Sequence, residues 1–313
     1  MEKFKRCSPS PLRITTHVAS ATINAKLNLK LLAENLDISK DVLYIEFKTE
    51  KENIIKGKKG GKTSKKSSKG RFWNQITILF QPEAGFQNNI KIFNNGSISM
   101  TGIKKIENGK RSIEILVEKI KEIYKEKEIK DIIEDNTPID ELQLKTFSIA
   151  LINSDYMISY NINRTRLHKL LCNQYHIFST FDACEYPGVN IKMFWNENTK
   201  NTEKNGICMC KSKCNGKGDG KGDGKCKVVT IFAFQSGSIM ITGARTIEQI
   251  YAGYNFINNV FEKHKDILEM KIPDFLKKDV VVKEKRKPNV YILKKNIVNE
   301  DLFKAMMKHQ EKT

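Results

Sequence analysis

FNNGSISMTG, Phe93 to Gly102, and FQSGSIMITG, Phe234 to Gly243, are two versions of one ten-residue segment set 141 residues apart. Six positions are identical and in the same order: Phe, Gly, Ser, Ile, Thr and Gly. An internal repeat fixes the architecture in which other motifs must sit, and two copies point to a pseudo-symmetric protein rather than a solenoid. Asn95-Gly96 and Ser236-Gly237 read as tight turns, and the residues after them alternate as a strand does. Ser97, Ser99 and Thr101 share one face and Ile98 and Met100 the other; the second copy sets Ser238, Met240 and Thr242 against Ile239 and Ile241. The aliphatic face suits packing beneath a helix. The opposite face, small and mostly uncharged, is either an ordinary half-solvated sheet surface or a floor that a ligand can approach closely.

The likeness extends beyond the motif. Leu12, Ile14 and Leu32 match Phe147, Ile149 and Leu167 at a constant offset of 135. Ser112-Ile113-Glu114 and Thr246-Ile247-Glu248 read as helix starts, with a hydroxyl cap and an acid in the first turn. Two apolar stripes at helical spacing follow. One is Ile113, Leu116, Val117, Ile120, Ile123 and Tyr124; the other is Ile247, Ile250, Tyr251, Tyr254, Ile257 and Phe261. Each half therefore reads strand, short helix (near Leu29–Asn35 or Thr165–Cys172), several strands, long helix. The expected layout is a basic N-terminal segment (1–11), repeat 1 (12–135, with a basic insertion at 56–71), a linker (136–146), repeat 2 (147–270, with a Cys/Gly/Lys insertion at 196–227) and a basic C-terminal extension (271–313).

The 313 residues carry 55 Lys+Arg against 36 Asp+Glu, a formal charge of +19. Such an excess favours a polyanionic partner, nucleic acid or an anionic membrane surface. No apolar run approaches the ~18 residues of a bilayer span. The N-terminus, MEKFKRCSPSPLR, lacks the apolar stretch of a secretory signal. Seven cysteines in a long chain without such a signal point to reduced thiols.

The repeat resembles the core domain of the TATA-box-binding proteins, in which each half carries a Phe-x-x-Gly-x-x-x-x-Thr-Gly strand pair and a long helix. The resemblance runs from about Leu12 to His264, insertions excluded, and divergent members occur in large DNA viruses. It implies an α+β fold: a pseudo-two-fold saddle, a curved antiparallel sheet with helices on the convex face and duplex DNA on the concave one. Members of the family kink the minor groove with inserted aromatic wedges. By resemblance the wedges are Phe93 and Phe234, joined by Tyr186 (in Tyr186-Pro187-Gly188) and by Phe72, with Trp73 as an alternative to the last; a core role is the other reading of each. The groove-facing positions fall on Thr16, Val18, Ser99, Thr101, Leu151, Asn153, Met240 and Thr242. The family's central asparagines are here Thr16 and Leu151, its adjacent valines Val18 and Asn153, and the lysine after the motif glycine is Ser97 or Ser238. A minor-groove binder survives these departures better than a reader of the standard TATA element.

The resemblance implies a transcription initiation factor that binds and bends promoter DNA, most naturally A·T-rich. Partners would be RNA polymerase or an initiation factor of the transcription factor IIB type, with no membrane. The setting would be intracellular: host cytoplasm (a viral factory), nucleus or virion. The competing reading keeps the fold as a platform that recruits transcription machinery and binds DNA weakly. No metal spacing among the five histidines, phosphate cradle or nucleophile elbow points to an enzyme, and no cofactor is required.

Residues 56 to 71 hold seven lysines and one arginine with no acid. They read as a mobile loop whose Lys65, Lys66, Lys69 and Arg71 contact phosphates, or as a solvated loop without a role. Cys208, Cys210, Cys214 and Cys226 surround a GKGDGKGDGK tract. Four thiols in a short loop can hold Zn²⁺, yet the spacing lacks paired C-x2-C knuckles, and a flexible loop is the alternative. Cys7, Cys172 and Cys184 have no partner pattern. The C-terminal extension shows a basic run at Lys283–Pro288, a strand-like Val290–Leu293 and a helical Asn299–Lys308.

Overall fold

The computed structural model describes residues 9–50, 52–58, 74–200 and 202–270. Phe72, Trp73, Lys65, Lys66, Lys69, Arg71, Cys7 and the C-terminal extension lie outside these. The chain divides into two compact units: Thr16–Ala150, and Leu151 onward together with the residues through Thr15.

The first unit contains most of β1 (Arg13–Ile23), α1 (Leu29–Asn35), β2 (Val42–Lys48), β3 (Asn53–Gly57), β4 (Gln75–Glu83), β5 (Phe86–Phe93), β6 (Ser97–Ile103), α2 (Ile106–Glu126) and the opening residues of β7 (Leu144–Met157). Its antiparallel strands run in the order β3-β2-β4-β5-β6-β1. Strict alternation sends Ile76, Ile78 and Phe80, Ile90 and Ile92, and Ile98 and Met100 into one buried layer. Ile113, Leu116, Ile120 and Ile123 of α2 join it. Each such side chain, moved out of water, contributes about 1.5–3 kcal/mol. The stretch 136–146, expected as a linker, also feeds this core: Ile139 and Leu142 are buried in it.

The second unit repeats the plan with β7, α3 (Arg164–Asn173), β8 (Phe178–Thr180), β9 (Gly188–Trp195), β10 (Lys227–Phe234), β11 (Ser238–Ala244), α4 (Ile247–Lys263) and α5 (Lys265–Leu268). Its strand order is β7-β11-β10-β9-β8. Val189, Ile191, Met193, Val229, Ile231, Ile239 and Ile241 are buried beneath Ile250, Tyr254, Ile257 and Phe261 of α4. The α+β class is thus observed in both units, each an antiparallel sheet with its long helix on one face. No helix among the described residues is long and apolar enough to cross a membrane.

The repeat holds down to single atoms. Asn28 and Asn163, 135 apart, cap α1 and α3, each side-chain oxygen accepting from the backbone N–H three residues on. Gly96 and Gly237 both adopt positive φ, +78° and +82°, beneath backbone carbonyls: those of Ile23 and Ala25 in one unit, of Ile158 and Tyr160 in the other. One expectation fails. Thr246 does cap α4, but Ser112 starts no helix; α2 begins two turns earlier, at Ile106. The residue equivalent to Thr246 is Lys105, which has no capping oxygen, so the signal is missing from the first copy. Ser112 is buried in mid-helix, its hydroxyl donating to the Asn108 carbonyl and accepting from Asn88. Ile247 and Tyr251, placed on the apolar stripe, are instead 45% and 42% exposed.

Candidate nucleic-acid interface

In each unit the sheet face turned away from the long helix is open. On the first unit it carries Thr16, Val18, Ser20 and Thr22 of β1, Ser97, Ser99 and Thr101 of β6, and Lys91 and Phe93 of β5, all half-buried or exposed. Hydroxyls dominate and several already pair. Thr22 meets Thr146 at 2.7 Å and Ser20 meets Ser148 at 2.9 Å. The Thr16 hydroxyl lies 3.3 Å from the carbonyl oxygens of His17 and Ile103. Phe93 closes β5, paired with Gln75 of β4, where its ring is neither sealed in the core nor fully in water. The one acid among these strands and β2 is Glu46 on β2, accepting from Tyr44 and Lys48. Burial first, then the Glu46 contact, push the Tyr44 phenol up to about 12, so it stays a neutral donor.

The second unit's open face carries Leu151, Asn153 and Asp155 of β7, Ser238, Met240 and Thr242 of β11, and Thr230, Phe232 and Phe234 of β10. The Thr242 hydroxyl donates to the Asn153 side-chain oxygen. Asp155, the acid of this face, is held by both ends of a guanidinium: Arg13 donates through Nε at 2.9 Å and Nη2 at 2.6 Å. Lys192 donates to the Thr230 hydroxyl at 3.0 Å, and burial lowers its pKa.

At one end of β9 and β10 the rings of Tyr186, Phe232 and Phe234 gather. Tyr186 lies 5.3 Å from Phe232 and 5.9 Å from Phe234, centroid to centroid. Gly188, paired with Phe234, leaves the room: a β-carbon there would sit 3.0 Å from Phe234 and 3.1 Å from Tyr186. Arg164 braces the preceding loop, donating to the Pro187 carbonyl at 2.5 Å and to Gln235 at 2.8 Å. Tyr186 is 41% exposed, and Phe178 on β8 is 62% exposed. Rings left this open gain free energy when something covers them.

The structure therefore places Phe93, Phe234, Tyr186, Thr16, Val18, Ser99, Thr101, Leu151, Asn153, Met240 and Thr242 on open sheet faces or their rims. Reasoning from the motif missed Lys91, Lys192, Phe178 and Phe232. Lys192 on β9 and Phe232 on β10 are legible from the alternation through NIKMFW and VVTIFAF. Cys208, Cys210, Cys214 and Cys226 converge elsewhere in the second unit, their sulfurs all within 4.8 Å of one another. Cys172 is half-buried, 3.3 Å from the Ser179 hydroxyl and 3.7 Å from His168 Nδ1, and Cys184 is exposed.

No protein-family model matches the chain. A curated relative, the TATA-box-binding protein-like protein of Acanthamoeba polyphaga mimivirus, is 27% identical over 277 residues, 84% of this chain and 68% of the relative. Among solved structures, Methanococcus jannaschii TBP aligns with 82% of this chain and 99% of its own at a TM-score of 0.40 and 15% identity. The repeat is carried through cap, turn and strand order in both units, and along most of its sequence the chain is similar to a viral TATA-box-binding protein-like protein.

Proposed function

We propose that the chain is a transcription initiation factor that binds duplex DNA in the minor groove through the open sheet faces of its two repeats and bends it with aromatic side chains. The observation that carries this reading is the same open face built twice, floored by short side chains and ended by a half-exposed Phe at the same motif position. The minor groove offers little beyond an A·T-versus-G·C distinction, so small hydroxyl and apolar groups are adequate readers. A base step pried open costs a few kcal/mol, and a flat apolar ring such as Phe93, Phe234 or Tyr186 can fill the gap. The carboxylates nearest these faces, Glu46 and Asp155, are each held by a basic side chain, which removes repulsion from phosphates. The net +19 supplies the sequence-independent attraction.

The test is titration of an A·T-rich duplex against a G·C-rich control at two salt concentrations, with end-to-end fluorescence transfer across the duplex to read bending. Tight, A·T-selective binding with bending is expected. Phe93→Ala and Phe234→Ala each reduce the bend while the melting profile is kept. Full bending by both variants would refute the wedge assignment. Weak binding that salt removes and that ignores base composition would instead favour the recruiting-platform reading, whose motive is the uncharged Ser97 and Ser238.

A further inference from the structure

The loop between β9 and β10 is folded, not slack. Two of its glycines serve as packing surfaces. Gly220 lies flat on the buried Trp195 indole, where any side chain would collide with the ring, and Gly216 presses against Val228. Glu197 donates its backbone N–H to the Gly220 carbonyl at 2.9 Å, and Gln249 of α4 donates to the Asp219 carbonyl at 3.1 Å. The two aspartates of the GKGDGKGDGK tract serve the loop itself. Asp223 accepts from the backbone N–H groups of Lys211 and Ser212 at 2.7 and 2.9 Å, fixing the segment between Cys210 and Cys214; Asp219 accepts from Lys221 at 3.0 Å.

This folding brings four thiols to one point. Cys210 and Cys226 sulfurs are 3.3 Å apart, Cys226 and Cys208 are 3.8 Å apart, and all four lie within 4.8 Å of one another. A disulfide would need about 2 Å between one pair and would leave the other two sulfurs without purpose. Four thiolates at about 2.3 Å around a tetrahedral ion are about 3.8 Å from each other, within the range the four sulfurs span here, from 3.3 Å to no more than 4.8 Å. The Asn196 amide donates to the Cys226 sulfur at 3.5 Å. Such a donor belongs to the outer shell that orients metal-bound sulfur.

We infer that Cys208, Cys210, Cys214 and Cys226 form a structural Zn²⁺ site, a closed tetrathiolate centre that locks the β9–β10 loop onto the second unit. On binding, each thiol gives its proton to solvent, so ion and ligands together carry −2. Six lysines fall in the same stretch of chain (Lys211, Lys213, Lys217, Lys221, Lys225 and Lys227), and its two aspartates are already engaged. With all four positions filled by protein, the site is built to hold rather than to catalyse. It clamps the Trp195–Lys227 end of the β9–β10 pair, the end opposite Gly188–Phe234. The inference rests on the loop alone and stands or falls apart from DNA binding.

The full chain, purified with a thiol reductant and without chelator, is expected to hold about one zinc by elemental analysis. Cys208→Ser with Cys214→Ser abolishes it, and Cys172→Ser with Cys184→Ser retains it. Cobalt titrated into wild-type chain stripped of metal gives the charge-transfer and ligand-field bands of tetrahedral thiolate coordination, which reads the ligand set even where the double variant misfolds. In a Trp73→Phe background, Trp195 emission changes on stripping and recovers with zinc. Absence of both zinc and cobalt–thiolate bands, equal zinc in the Cys208/Cys214 variant, a resident iron instead of zinc, or disulfides among the four cysteines by intact mass would each overturn the assignment.

Discussion

Replacing Gly96 by alanine tests the turn on which both repeats are built. Its φ of +78° is in the left-handed region, where a β-carbon costs about 1–2 kcal/mol. That atom would also lie 2.8 Å from the Ile23 carbonyl oxygen and against that of Ala25, two backbone atoms that cannot swing aside. Forcing such an overpacked contact adds about 1–3 kcal/mol. A stiffer unfolded chain returns only about 0.4–1 kcal/mol, leaving a loss of about 2–4 kcal/mol. Gly85, at φ +80° in the β4–β5 turn, has nothing within 4 Å of its would-be β-carbon and isolates the dihedral penalty. Gly85→Ala should therefore cost no more than about 1 kcal/mol. For a unit of this size about 1 kcal/mol moves Tm by roughly 4 °C, so the two variants should melt roughly 4–12 °C apart. Thermal unfolding by circular dichroism, with hydrogen exchange to assign the melting unit, gives the answer. Gly237→Ala should transfer the same loss to the second unit, since its β-carbon would meet the carbonyl oxygens of Tyr160 and Ile158 at 2.6 and 2.8 Å. Gly96→Ala melting within about 2 °C of Gly85→Ala would refute the reasoning.

Arg13→Ala should leave Asp155 as an unneutralised carboxylate on the second unit's open face; the half-exposed pair is worth only about 0–1 kcal/mol to stability, yet DNA affinity should fall roughly tenfold. Adding Asp155→Asn should recover most of that affinity, and a double variant as weak as Arg13→Ala would exclude charge as the cause. His17 is buried beside the Ile103 carbonyl, and burial holds its pKa below 6.5, against the opposing pull of that carbonyl and of Glu107. The unfolded chain then binds the extra proton first, so the first unit's stability falls as pH drops below 6.5 toward the lowered value and is fully present above it. His17→Gln should flatten that part of the stability–pH curve, measured by denaturant titration between pH 7 and about 5; an unchanged slope would assign the dependence elsewhere.

Much of the fold was legible because the repeat supplied a check on itself. The glycine-ended strand, the buried aliphatic alternation and the Thr246 cap all follow from residue type and spacing. The Ser112 error shows the limit: a hydroxyl followed by an acid looks like a helix start, and only the buried Asn88 and Asn108 around it reveal a mid-helix position. Holding the offset at 141 would have led to Lys105, whose side chain advertises nothing. The aromatic cluster was half legible. Tyr186 and Phe234 stood out beside their motifs, whereas Phe232 and Lys192 depend on which side of β9 and β10 faces the helix. The cysteine loop was least legible, because its irregular spacing becomes a cluster only after Gly216 and Gly220 have packed on Val228 and Trp195.

The two copies were not enlarged alike. The first received its lysine-rich tract between β3 and β4, and the second its cysteine loop between β9 and β10. A duplex viewed along its minor groove looks nearly the same from either end, so a reader with identical halves has no left or right. Unequal additions break that tie, giving one half a lysine-rich tract and the other a cysteine loop. Under the proposed function a start signal needs polarity as well as position, and the unevenness of the two embellishments would supply an arrow.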